Sequence, residues 1–292
     1  MDIVITYVDG LDRQWQSQYA EYVGGEALDK RFRDWGTLKY LLRGVQECMP
    51  FVENVFLVVA LDSQVPSWVD RNNVKVVLHK DIIPERFLPV FNSTAIEMYL
   101  PCIEGLSEEF IYFNDDSFPV ADCRREDFFV DGKAVGKPSK EFLALNMYKK
   151  QSKNASDLAR KAAGLRPSYS FLRPQHCPSA MLLSACREVL QKVPSEIEAS
   201  ISRVREPKNI NQYIFTDYAT LTGRMIPRRL QCKHFSLAVA SLKDMEEYIL
   251  GVGSKLVCIN DVHLSEEKYG QYRAGLLAAF DRRFPRKSRF EL

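Results

Sequence analysis

The sequence predicts an α/β fold: a Rossmann-like, mostly parallel sheet with helices on both faces and a helical lobe over its ligand edge. Three observations carry that expectation. The short apolar runs Ile3–Val8, Val55–Ala60, Val74–Leu78 and Phe110–Phe113 have the composition of strands buried on both faces. Helical patterns fall between the early runs, which gives the β-α-β-α-β order of a doubly wound sheet. Three strands stop at carboxylates. Asp9-Gly10-Leu11-Asp12 ends the first, Asn114-Asp115-Asp116 ends the central one, and Asn260-Asp261 ends a late strand over Lys255–Ile259. Ligands of open α/β sheets bind beyond the carboxyl ends of the strands.

The elements follow in order. After the first strand, Trp15 and Tyr19 mark a helix, and the polar Glu21–Lys30 stretch with its Gly-Gly pair reads as a loop. Leu38, Leu41, Leu42 and Val45 form one face of the next helix. Pro66-Ser67-Trp68 is expected to open a short helix, and Ala95–Leu100 to start another. Asp131-Gly132 signals a hairpin turn. Residues 137–175 are polar and basic, and helices are expected there. Further helices are expected over Ala180–Val193, Ile210–Thr222 and Asp244–Leu250, and strands over Leu230–Val239 and Lys255–Ile259. From Tyr269 a basic tail carries Leu276, Leu277, Phe280 and Phe284 at helical spacing. Such a helix either touches an anionic membrane surface or packs on the domain with its basic face in water.

Composition narrows the class. The 292 residues suffice for one large α/β domain. A single domain is expected: an α/β core over 1–136, a mainly helical lobe over 137–229, and a return to the core over 230–292 ending in the basic helix. The hydrophobic fraction of 46% and charged fraction of 27% are those of a soluble globular protein. A net charge of +2 gives no reason to expect a nucleic-acid partner. No apolar run approaches a membrane span, and no signal peptide precedes the first strand. The seven cysteines are scattered without a Cys-x-x-Cys pair, which argues against a zinc site and against a disulfide framework. A cytoplasmic enzyme is the simplest expectation. No Walker A, Gly-x-Gly-x-x-Gly or Gly-x-Ser-x-Gly sequence occurs.

The candidate site residues sit at the strand ends. Adjacent carboxylates such as Asp115 and Asp116 are costly unless a positive partner is near. A divalent cation carrying a pyrophosphate is one such partner, since hard oxygen ligands suit Mg²⁺ and Mn²⁺. A turn is the alternative. Asp9 and Asp12 either face the same crevice or form a turn and a helix N-cap. Arg33 either reaches a phosphate or makes a surface ion pair, and Asp34 is a candidate cap for the helix that follows. His176 either is a structural residue or, lying between Pro174 and Pro178, whose rings limit its mobility, is placed to act as a base.

Taken together, these segments resemble the Stealth family of sugar-phosphate transferases. Asp2–Asp12 is similar to the family's first block. Residues 31 to 116 resemble the second, notably Arg-Phe-Arg-Asp at 31–34, Val-Pro-Ser-Trp at 65–68, His79–Pro84, Phe91–Glu97 and Gly105–Asp116. Pro174–Met181 with Arg205–Tyr218 resembles the third, and Cys258–Asp261 the fourth. Tyr7 stands where Trp is commoner, and the Asp that often follows the third block's His-x-Pro is absent after His176-Cys177-Pro178.

The resemblance implies a GT-A-like nucleotide-sugar fold. It implies transfer of a hexose-1-phosphate from a UDP-sugar to a glycan hydroxyl, leaving a phosphodiester and releasing UMP. On that reading Asp115, Asp116 and Asp261 hold Mg²⁺ or Mn²⁺, and Arg33 and Arg205 neutralise the pyrophosphate. His176 takes the acceptor's proton, with Arg205 and Asp116 as its catalytic companions. Thr6, Asp9, Asp12, Asn92, Ser93, Asn114 and Asn260 line the substrate pocket. The expected partners are a nucleotide-sugar donor and a glycan or lipid-linked oligosaccharide acceptor, which would bring a cytoplasmic enzyme to the inner membrane face. Two other readings stay open. One is a glycosyltransferase releasing UDP, the other a non-catalytic glycan-binding or assembly protein.

Overall fold

The computed structural model describes residues 1–24 and 32–292. The Gly24–Lys30 part of the expected loop lies outside the described residues except for Gly24, as does Arg31. Among the described residues thirteen strands run in chain order. They are β1 (Asp2–Thr6), β2 (Asn54–Val59), β3 (Val74–Leu78), β4 (Glu109–Asn114), β5 (Ser117–Pro119), β6 (Phe129–Val130), β7 (Lys133–Gly136), β8 (Ser139–Glu141), β9 (Phe171–Arg173), β10 (Ser179–Leu182), β11 (Met225–Pro227), β12 (Cys232–Ser236) and β13 (Leu256–Asn260).

The main sheet has the order β10-β4-β1-β2-β3. The three pairings among β1–β4 are parallel, and β10 is antiparallel to β4. The expected α/β fold with a mostly parallel sheet is therefore what forms. Its cause is burial: Ile3, Val4, Ile5, Val55, Leu57, Val58, Phe110, Ile111 and Phe113 are fully enclosed. Each such side chain contributes about 1.5–3 kcal/mol relative to exposure. Asp2 is buried among them and is satisfied, because its carboxylate accepts from Asn54 Nδ2 and from the Ser107 amide, both at 2.8 Å. Those two bonds tie β1 to β2 and to the chain entering β4.

The connections place the site. β1 leads to β2 on one side of the sheet, while β4 lies on its other side. Thr6 and Asn114 are register partners at the two strand ends. This is a topological switch point, where a crevice opens beyond the strands. A second sheet, β12-β13-β5, begins just past it. β5 packs on the helix Leu38–Cys48 across Gly44.

Several expectations are corrected. Pro66–Trp68 is a turn rather than a helix. Ala180–Leu182 belongs to β10, and the helix begins only at Leu183. Residues 137–175 contain one helix, Met147–Ala162, flanked by the hairpin partners β8 and β9. Asp34 does not cap the Leu38–Cys48 helix; its Oδ1 accepts from the Gly36 amide at 2.9 Å, and Thr37 is the N-cap residue. The hairpin at Asp131-Gly132 forms as expected, with both residues at positive φ (51° and 69°).

The basic tail packs on the domain. Leu276, Ala279 and Phe280 of the Glu266–Arg283 helix are buried, and Tyr40 stacks on Phe280 at 5.4 Å. The cations of its last turn are paired: Arg282 with Glu246, and Arg283 with Glu47 and the Val120 carbonyl. Among the described residues no helix is long and apolar enough to cross a membrane.

Candidate active site

A cavity of about 470 Å³ lies beyond the ends of β1, β4 and β13. That is the size of an ordinary small-ligand site. Its lining includes Thr6, Arg33, Asn92, Ser93, Asn114, Asp115, Asp116, His176, Arg205, Asn260 and Asp261. Residues from seven separate stretches of the chain thus meet in one place.

The floor is a polar ladder across the switch point. Thr6 Oγ1 and Tyr112 OH share a hydrogen bond of 2.9 Å, and Tyr112 OH donates to Asn114 Oδ1 at 2.9 Å. Asp9 and Asp12 remain outside the lining. Asp9 Oδ1 accepts from the Leu11 amide at 2.8 Å, and Asp12 Oδ1 from the Trp15 amide at 2.7 Å. Turn and N-cap account for them: Asp9 closes the turn at Leu11, and Asp12 satisfies a backbone donor left orphaned at the start of the Arg13–Val23 helix. Asp9 still acts through space, raising the Asp34 carboxyl in support of burial.

One wall is built by Arg33, Asp34 and Trp35. Arg33 Nη2 contacts Glu266 at 3.0 Å, and its guanidinium lies 4.1 Å from the Tyr269 ring centre. Among the described residues its Nη1 is buried without a hydrogen-bond partner. An arginine donor left so is costly, and an anionic ligand oxygen would satisfy it. Trp35 Nε1 donates to Asp261 Oδ2 at 3.0 Å.

The opposite wall comes from the Ser93–Glu97 helix and the 200–212 segment. Asn92 is almost fully buried and fully engaged. Its oxygen accepts from Thr94, and its Nδ2 donates to the Ser202 carbonyl and to Asn209 Oδ1, each at 3.1 Å. It clamps two segments together and has no group to spare for a ligand, which corrects its expected substrate role. Arg205 Nη2 donates to Ser93 Oγ at 2.6 Å. Glu97, behind them, is pushed up to about 7 by burial, against the Gln212 amide that donates to it at 2.8 Å and the charge of Arg205.

The third side holds His176. Its Nε2 lies 3.9 Å from Asp116 Oδ2, too long for a hydrogen bond but within ion-pair reach. An imidazolium formed there would be stabilised by that carboxylate.

The carboxylates fit a hard divalent cation. Asp115 is pushed up to about 8 by burial and by Asp116, Asp34 and Asp261. Burial likewise raises Asp261, although Trp35 and the Val262 amide hold it down. This local excess of negative charge is what Mg²⁺ or Mn²⁺ would neutralise. Among the described residues, no three carboxylates bring their oxygens together as a ready ligand set. Asp115, Asp116 and Asp261 share a cavity without forming a closed cage. Repulsion keeps them apart, Trp35 holds Asp261, and Asp116 Oδ1 accepts from Ser117 at 3.0 Å.

Comparison with known proteins follows from these features. The model of the Stealth protein CR2 family (conserved region 2) matches residues 31–136. The receptor polysaccharide phosphotransferase WefC of Streptococcus gordonii is 30% identical over 100% of this chain and 99% of its own length. The exopolysaccharide phosphotransferase cps2G of Lactiplantibacillus plantarum is 31% identical over 100% of this chain and 96% of its own. The chain belongs to the Stealth family. The capsular polysaccharide phosphotransferase WcwK of Streptococcus pneumoniae is also 30% identical, over 100% of this chain and 99% of its own. A solved galactosyltransferase, LgtC, superposes with a TM-score of 0.47 at 10% identity over 94% of this chain and 95% of that one.

Within this Stealth chain the matched region runs from the stretch before Arg33 to beyond Asp116, and so supplies one wall, part of the opposite wall and most of the floor. Glu97, Gln212, Trp35, Tyr148 and Gln151 also line the cavity. None was singled out for a role from sequence. Glu97 carried the one available signal, an acid within the apolar Phe91–Leu100 stretch.

Proposed function

We propose that this protein transfers a hexose-1-phosphate from a nucleotide sugar to a glycan hydroxyl. The donor is a UDP-hexose or UDP-N-acetylhexosamine, and the product is a phosphodiester in a cell-surface or capsular polysaccharide. One observation supports the reading above the rest. Arg33, with a buried unsatisfied nitrogen, shares a single cavity with the crowded Asp115–Asp116 pair and with His176. A pyrophosphate with its divalent cation is a ligand that satisfies both charge demands at once.

The residues divide the work as follows. Phosphoryl-type transfer depends on positioning and charge neutralisation. Arg33 and Arg205 bind the pyrophosphate oxygens from opposite walls. Asp115, Asp116 and Asp261 would hold Mg²⁺ or Mn²⁺, which supplies charge neutralisation when bound. Thr6, Ser93, Asn114 and Asn260 meet the sugar and nucleotide. His176 Nε2 accepts the acceptor hydroxyl's proton, and Asp116 stabilises the resulting imidazolium. The acceptor oxygen bonds to the phosphorus next to the sugar. The bond bridging the two phosphorus atoms breaks, and its electron pair leaves with the nucleoside monophosphate.

The test is a variant series with ³¹P NMR of the polymeric product. His176→Ala should lower kcat by about 10²–10⁴-fold and leave the thermal unfolding curve in place. Asp116→Asn should lower it as well. A folded His176→Ala protein that keeps full rate removes the base assignment. A product without a phosphodiester resonance removes the reaction.

A further inference from the structure

A second cluster of ligating side chains meets at His176. His234 is on β12 and Cys258 on β13, and the two are register partners in adjacent parallel strands. Register partners project from the same face of a sheet, so the backbone holds the imidazole and thiol side by side. His176 reaches the same point from the loop between β9 and β10. Its ring centre lies 5.1 Å from that of His234, with the rings at 77°. The ligand atoms of His176, His234 and Cys258 all lie within 4.8 Å of one another. Among the described residues no other three His, Cys, Asp or Glu side chains converge in this way.

The donor chemistry differs from that of the carboxylates. Two imidazoles and a thiolate suit zinc-like transition metals and not Mg²⁺. A tetrahedral zinc ion would set the ligand atoms roughly 3.4–3.6 Å apart. The cluster must therefore contract by about 1 Å. Rotation of His234, which is exposed at the edge of its sheet, can supply that. Three protein ligands leave one position open. Cys258 is fully buried and gives its thiol proton up on binding.

We propose that His176, His234 and Cys258 form a binding site for a zinc-like divalent metal, and that filling this site blocks transfer. The block follows because the metal occupies the imidazole lone pair that would accept the acceptor's proton. That second half rests on the role given to His176 above. The site would make the enzyme sensitive to free zinc while it works with Mg²⁺ or Mn²⁺.

Cobalt(II) is the direct probe, because a Co²⁺–thiolate bond gives a near-ultraviolet charge-transfer band that surface histidines do not. The wild-type protein should develop this band, and Zn²⁺ should abolish it stoichiometrically. His234→Ala and Cys258→Ser should each weaken Co²⁺ binding at least about tenfold. In the transfer assay at saturating Mg²⁺ or Mn²⁺, Zn²⁺ should inhibit the wild type. His234→Ala should keep the basal rate and require at least about ten times more Zn²⁺. Absence of the thiolate band in the wild type overturns the site. A band without zinc inhibition keeps the site and overturns the base role of His176. A band in a protein with no transferase activity keeps the site and overturns the proposed reaction. Because His234 is exposed, its variant remains informative if Cys258→Ser fails to fold.

Discussion

At the scale of single residues, the site is a problem of charge. Asp115 is held near 8, far above an ordinary carboxyl, because burial and three neighbouring acids oppose its ionisation. A raised folded-state value means that Asp115 favours the folded protein below the ordinary carboxyl range. That contribution is lost as pH rises through about 8. Binding of a divalent cation reverses the preference and must expel the proton. Calorimetry in buffers of different ionisation enthalpy should therefore detect up to one proton released per Mn²⁺ at pH 6–7, fading by about pH 9. Apparent affinity should climb about tenfold per pH unit until about pH 8. Proton-free binding at pH 6.5 would mean that the cation sits elsewhere. The acids themselves were legible in sequence, since each ends an apolar run where only a turn or a ligand explains it. Asn92 was legible as a site-segment residue but not as a clamp. Its partners Ser202 and Asn209 lie more than a hundred positions away, and no local pattern announces them.

At the scale of elements, the fold depends on a few close approaches. Gly44, in the middle of the Leu38–Cys48 helix, faces the Pro119 carbonyl so closely that a Cβ would collide with it. β5 follows directly on Asp116, so this contact also sets where the Asp115–Asp116 strand end lies. Gly44→Ala should destabilise the protein by about 1–3 kcal/mol, the usual cost of overpacking. Urea unfolding measures it, and an unchanged midpoint would show that the helix and β5 are not in this contact. Strands were the most legible elements, because apolar runs of four to six residues leave little choice in an α/β chain. β10 was not. Ala180-Met181-Leu182 reads equally well as buried helix, and only pairing with Glu109–Ile111 of β4 decides it. The His234–Cys258 neighbourhood was equally hidden. A search for Cys-x-x-Cys spacing cannot see ligands aligned by strand register.

At the scale of the whole molecule, the chain end closes the structure. Arg43, on the Leu38–Cys48 helix, makes a bidentate pair with Glu291 at 2.8 and 2.7 Å, and both side chains are largely buried. The Leu292 amide donates to the Trp68 carbonyl at 2.8 Å, and the Asp70 amide to Phe290 at 2.9 Å. The basic tail is thus part of the core's enclosure. Removing one member of a buried pair strands the other, so Glu291→Ala should cost about 3–5 kcal/mol in thermal or denaturant unfolding. A loss below about 1 kcal/mol would mark the pair as solvent-screened.

The site, the family and the charge pattern all lead to one chemical distinction, the atom attacked. The measurement that tests it is the identity of the nucleotide released when the protein is supplied with a UDP-sugar, Mg²⁺ or Mn²⁺ and a glycan acceptor. Acceptor-dependent UMP, with the sugar and its phosphate recovered together in the product, is the predicted result. Acceptor-dependent UDP would mean attack at the sugar's anomeric carbon and would contradict sugar-phosphate transfer.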